Sequence, residues 1–168
     1  MRTHLIRTSA TLALALATLI VAAAFAACGG SSSSATASPA GTCINASASH
    51  HAYVVVQHLS GTAIQKCVGF TTDTIDGQAL MDQSMIQFAT QTFSFGKAAC
   101  QIDNEPAQFT KCTAPSQPYW SLWVETATKW DYAQTAYTDV KLHDKEAIGW
   151  RYVQPTDPSP SPPPLAKP

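Results

Sequence analysis

The chain has 168 residues, and charged side chains make up only 12% of them, ten Lys and Arg against eleven Asp and Glu. So few cations, with no basic cluster, exclude a nucleic-acid-binding protein, because affinity for phosphate backbones needs a patch of Lys and Arg. What remains after a leader and a tail, about 110 residues, suits one domain with a modest core.

Residues 1–27 begin with Arg2 and Arg7 and continue as an apolar run rich in Ala and Leu. That is the layout of a secretory signal peptide, and the run is too alanine-rich to suit a permanent membrane span. Removing it leaves eight Lys and Arg against eleven Asp and Glu, a net charge of −3. Phe25, Ala26, Ala27 and Cys28 resemble a bacterial lipobox, with Phe25 where Leu is usual. Ordinary cleavage after Ala26 is the competing reading and would give a secreted product. Two features favour lipidation of Cys28. Residues 28–49 form a Gly/Ser/Ala-rich flexible tether, which is useful when the start of the chain is held to something. The five cysteines are Cys28, Cys43, Cys67, Cys100 and Cys112, so a lipid on Cys28 leaves four to pair. The expected location is therefore the outer face of the bacterial cell membrane, with the lipid anchor making the membrane a partner.

The domain proper is expected over 50–154. Residues 52–58 are β-branched and aromatic and end at Leu59, Ser60 and Gly61, which predicts a strand and a tight turn; residues 63–70 are its hairpin partner. In the second strand Ile64, Val68 and Phe70 share the expected core face, with Lys66 as the misfit. Asp76 is placed to cap a short helix over 77–84, with Leu80 and Ser84 on one side. Residues 86–93 alternate as a strand or an extended connection, residues 94–96 turn, and residues 97–102 form another strand.

Residues 103–118 contain Pro106, Pro115 and Pro118 and lack an apolar period, so they form a long surface loop. A bridge from Cys100 to Cys112 would close a ring of about a dozen residues and contribute about 3 kcal/mol. Cys43 would then join Cys67, tying the end of the tether to the second strand. Four cysteines allow three connectivities, and the other two stay open.

Residues 119–125 form an aromatic strand, 129–132 a short partner, and 139–142 and 147–152 the last strand pieces. Residues 155–168 are so rich in proline that they are expected as a disordered, extended polyproline tail that does not pack. Strands and one short helix, mixed instead of alternating, predict a small α+β domain in which a helix covers one face of a sheet.

The order Pro118, Tyr119, Trp120, Ser121, Leu122 and Trp123, then Lys129 and Trp130, then Ala136 and Tyr137, then the segment from Val140 through His143, Asp144, Lys145 and Glu146 to Trp150 and Tyr152, resembles the transcobalamin-like C-terminal domain family. That small module ends vitamin B12 carriers and occurs in many exported bacterial proteins. The predicted helix sits where that family has its single helix. The resemblance implies a β-grasp-like mixed sheet over one short helix, and no enzymatic activity; the four paired cysteines would make that domain disulfide-stabilised. Asp144, Lys145 and Glu146 replace an Asp-Gly-Asp turn, so without glycine the turn must avoid positive φ or change type.

In an extended strand Trp120 and Leu122 point one way, and Tyr119, Ser121 and Trp123 the other. One reading makes one face core and lays the loop over the other. The functional reading has Tyr119, Ser121 and Trp123, with Trp130 and Tyr132, lining a shallow groove for a planar or sugar-like ligand. By family analogy that ligand is a corrinoid, although carriers enclose theirs between two domains. No cofactor or metal is expected: His51 and His58 would stand about 23 Å apart along one strand, and no Cys-x-x-Cys pair is present for zinc. His143 beside Asp144 lacks the context of a nucleophilic site. The reading is a non-catalytic, cell-surface binding module for a small molecule; the alternative is a protein-interaction or envelope-structural domain whose partner is a surface protein.

Overall fold

The computed structural model describes residues 41–127 and 129–166; the expected signal peptide, the Cys28 lipidation site and the tether up to residue 40 lie outside the described residues. The first strand, β1 (His50–Gln57), pairs antiparallel with β2 (Ala63–Phe70). After β2 come the two-residue β3 (Ile75–Asp76) and the helix α1 (Gly77–Gln83). The hairpin β4 (Phe88–Phe93) and β5 (Gly96–Ile102) follows. The aromatic strand is β6 (Tyr119–Thr126), partnered by β7 (Lys129–Tyr132). A 3₁₀ turn (Tyr137–Asp139) leads to β8 (Lys141–Leu142), and β9 (Ala147–Val153) closes the domain.

The main sheet has the order β2-β1-β9-β6-β7, with β1 and β9 parallel and the other pairs antiparallel. With one α-helix and two disulfides among the described residues, Cys43–Cys67 and Cys100–Cys112, this is a small disulfide-stabilised α+β domain. The pairing is the one preferred among three connectivities.

The helix begins where the sequence places it because Asp76 accepts the amide of Ala79 at 2.7 Å, satisfying a donor that the first turn leaves free. Leu80, Met81 and Ser84 are fully buried; Ser84 Oγ donates to the carbonyl of Met81 at 2.8 Å and accepts the amide of Ile86 at 3.2 Å. A helix this short is held by packing, and it leans on the alternate β1 residues Ala52, Val54 and Val56 together with Val68 and Phe70 of β2. The same face carries Trp120, Ile148, Trp150 and Tyr152, closed over by Ile102 and Tyr137. Lys66 points to solvent at the edge, which resolves its misfit.

Three expectations need correction. The tether does not run to residue 49: Ile44 forms a parallel bridge to Val68, its amide donates to Cys67 at 3.0 Å, and the Cys43–Cys67 bond holds this segment to β2. The proline-rich tail packs. Pro163 is buried, Arg151 donates to the carbonyl and hydroxyl oxygens of Ser161, and the amide of Ala166 donates to Glu125 at 2.9 Å. It lies on the second face of the sheet, where Tyr53, Val55, Ala63 and Ala147 meet Trp130 and Ala166. The tail, and not the expected loop 103–118, thus covers the second face; that loop meets His58 and Trp120 through Asp103 and Glu105.

The third correction concerns the turn before β9. Lys145 adopts φ +69°, the left-handed region that a glycine would take without strain. Hydrogen bonds hold it there: its amide donates to His51 at 2.7 Å, Asp144 accepts the amide of His51 at 2.8 Å, and Glu146 accepts that of His143 at 2.8 Å. Asp144 thereby helps to hold the turn.

Candidate functional site

β6 carries bulky groups on both faces, and the structure divides them. Ser121 and Trp123 are buried on the tail-covered face; the Ser121 hydroxyl donates to the carbonyl of Arg151 at 3.0 Å and accepts the Trp123 indole N–H at 3.1 Å. Trp130 fills the space between Val55, Ala147 and the tail. These three residues are therefore not liners of an open groove. Their bulk is used to seat residues that the sequence reading left unpacked.

The open groove lies on the opposite face. It has a volume of about 460 Å³ and runs between β6 and the β4–β5 hairpin. Trp120, Leu122, Trp150 and Tyr137 form one wall; Phe95, Lys97, Ala98 and Cys112 form the other, with residues 133–136 along the side. Tyr119 and Tyr132, two of the five candidate residues, reach its rim. A cavity of this size and aromatic content suits a compact organic ligand.

The walls are held firmly. The Trp120 indole N–H donates to the carbonyl of Glu105 at 3.1 Å, and its ring lies 4.8 Å from that of Tyr152. Trp150 meets Tyr137 edge-on at 5.7 Å, and Tyr132 meets Trp123 edge-on at 5.0 Å. The Tyr137 hydroxyl donates to Gln78 Oε1 at 2.8 Å, and the same oxygen accepts Lys97 Nζ at 3.0 Å. The Cys100–Cys112 bond fixes the far wall to β5.

Burial pushes the Tyr137 phenol above its ordinary range, with Asp82 adding to the shift and hydrogen bonds to Thr90 and Gln78 opposing it. Tyr119 is raised for the same first reason, with Tyr132 and Asp157 acting in the same direction. Both phenols therefore stay neutral donors near neutral pH. Two buried indole N–H groups, of Trp130 and Trp150, have no acceptor among the described residues; the first lies under the tail and the second belongs to a groove residue.

The histidines do not gather. His58 Nδ1 lies 2.8 Å from Glu105 and Nε2 3.0 Å from Asp103, so its ring clamps the β1–β2 turn to the start of the 103–118 loop. Among the described residues no group of three His, Cys, Asp or Glu stands ready to hold a metal ion, and no helix is long and apolar enough to cross a membrane.

The sequence reading missed Trp120, Leu122, Trp150, Tyr137, Phe95 and Lys97. Both faces of β6 look apolar, so alternation alone cannot say which is covered. The one available signal was the polar Ser121 beside Trp123, a small hydroxyl residue suited to hydrogen-bonding inside a packed layer.

No protein-family model matches the chain, and no curated protein matches it. Among solved structures it is similar to a protein from Ruminococcus gnavus described as a "putative metal binding protein", at 17% identity and a TM-score of 0.45. The match covers 62% of this chain and 97% of the other.

Proposed function

We propose that this protein is a non-catalytic binding module that captures a small, ring-containing ligand in the groove between β6 and the β4–β5 hairpin. The observation that carries this reading is an aromatic-walled cavity of about 460 Å³ whose sides are pinned by a disulfide and by the hydrogen bonds of Trp120 and Tyr137. A preformed site spends little of its binding energy on ordering. Two disulfides support an oxidising compartment, in keeping with export through the leader and lipid anchoring at Cys28.

A relation to the β-grasp, and to the transcobalamin-like family, is supported by the mixed order β2-β1-β9-β6-β7 with a parallel central pair and one helix on one face. A corrinoid would lie against the mouth of the groove without being enclosed, since the cavity suits a single small ring system. Intrinsic tryptophan fluorescence separates these versions. Quenching by cobinamide at tens of micromolar supports the corrinoid, whereas quenching only by small aromatic compounds supports the enclosed site. No response to either sinks ligand capture.

The alternative, a protein-interaction or envelope-structural domain, is favoured by one feature. Phe93 and Phe95 stack at 5.1 Å at the tip of the β4–β5 hairpin, and Phe95 is 65% exposed. A surface-protein partner gripping that tip would be lost on Phe93→Ser, a residue outside the groove's lining, while the groove's ligand remained.

A further inference from the structure

Resting on the groove reading, we infer that the ligand is an aromatic ring bearing an anionic substituent, such as an aryl carboxylate. The charge distribution carries the argument. The chain beyond residue 27 has a net charge of −3, yet no Asp or Glu belongs to the described lining, and the charged residue that does is Lys97. Lys97 is half-buried, and among the described residues its ammonium bonds to the neutral amide oxygen of Gln78 and forms no ion pair. An ammonium has three donors, so two are left for a ligand. The carboxylate of Asp82, bonded to Gln78, and that of Asp157, which acts on Tyr119, stand outside the lining.

The lining also contains Trp120, Tyr137 and Trp150, which suits a planar ring. The groove thus combines aromatic walls, which take the ring, with a cation, which takes its anionic group. A cationic ligand would face Lys97 with no carboxylate in the lining to offset it; Asp82, whose charge acts on Tyr137, is bonded to Gln78 outside that lining.

The test uses the intact protein and three probes of one shape: 2-naphthoate, 2-naphthalenemethanol and 2-naphthylmethylammonium, each titrated by calorimetry. Naphthoate should bind at least about tenfold more tightly than the cation, with the alcohol between them. Lys97→Met should remove most of that preference, and Lys97→Arg should restore it; Lys66→Met, on the exposed edge of β2, should change nothing. Equal binding of the three probes, or a preference untouched by Lys97→Met, would overturn the anionic ligand while leaving the groove as a binding site. Failure of all three to bind at millimolar concentration would overturn both.

Discussion

Pro163 sits against Gly149 so closely that a Cβ on this glycine would come within 2.6 Å of the proline Cγ, and within 2.7 Å of the Trp130 ring on the same side. The glycine is the floor on which the tail rests. Gly149→Ala must therefore push Pro163 or Trp130 off the sheet. The expected cost is about 1–3 kcal/mol in urea unfolding, together with faster proteolysis within the tail. A change below about 0.3 kcal/mol with unaltered proteolysis would mean that the tail is not seated there.

Glu125 makes the stability of the same layer depend on pH. Burial pushes its carboxyl above the ordinary carboxylate range, opposed in part by the amide of Ala166. The folded state thus holds this proton more tightly than the unfolded chain. Its contribution is fully present below the unfolded value and is lost as pH rises through the folded one. Glu125→Gln retains an oxygen acceptor and removes the buried charge. The variant should gain stability relative to the parent as pH rises above the ordinary carboxylate range, measured by denaturant midpoints at a series of pH values; a difference that stays constant with pH would refute it.

The two disulfides close loops with sequence separations of 24 and 12. Chain-entropy reasoning puts their contributions at about 3.5 and about 3 kcal/mol. Serine replacement of Cys43 and Cys67 should act on stability alone, whereas replacement of Cys100 and Cys112 should also weaken ligand binding, because Cys112 belongs to the groove wall. Equal binding by both double variants would show that the wall holds without its bond.

His58 joins parts of the chain that are far apart in sequence, and Glu105 in turn receives the Trp120 N–H on its carbonyl oxygen. His58→Ala leaves two partly buried carboxylates without their partner. A loss of about 1–3 kcal/mol is expected, accompanied by a change in the near-UV signal of Trp120. An unchanged near-UV spectrum would show that the loop is held by other contacts.

Lys145 offers a stabilising change. Its positive φ costs a side-chain-bearing residue about 1–2 kcal/mol, part of which glycine repays in backbone entropy. Lys145→Gly should raise stability by about 0.5–1 kcal/mol, read as a higher melting temperature; a decrease would mean that the lysine side chain makes a contact worth more than the strain.

Local features of this chain were legible before folding. The β-branched run that becomes β1, the Asp76 cap, the glycine turns at Gly61 and Gly96 and the alternation of β6 each act through near neighbours, and each appears where its residues predict. The cysteine pairing also follows local logic, since each bond closes a short ring. What could not be read was which face of β6 would be covered. Trp120 and Trp123 are equally apolar, and the residues that decide between them are remote in sequence: Pro163 and Ala166 on one side, Phe95 and Lys97 on the other. Proline content tells that the tail forms no ladder; it says nothing of whether a glycine in another strand leaves it a seat. Burial is a property of pairs of surfaces, and Gly149 meets Pro163 only once the sheet exists.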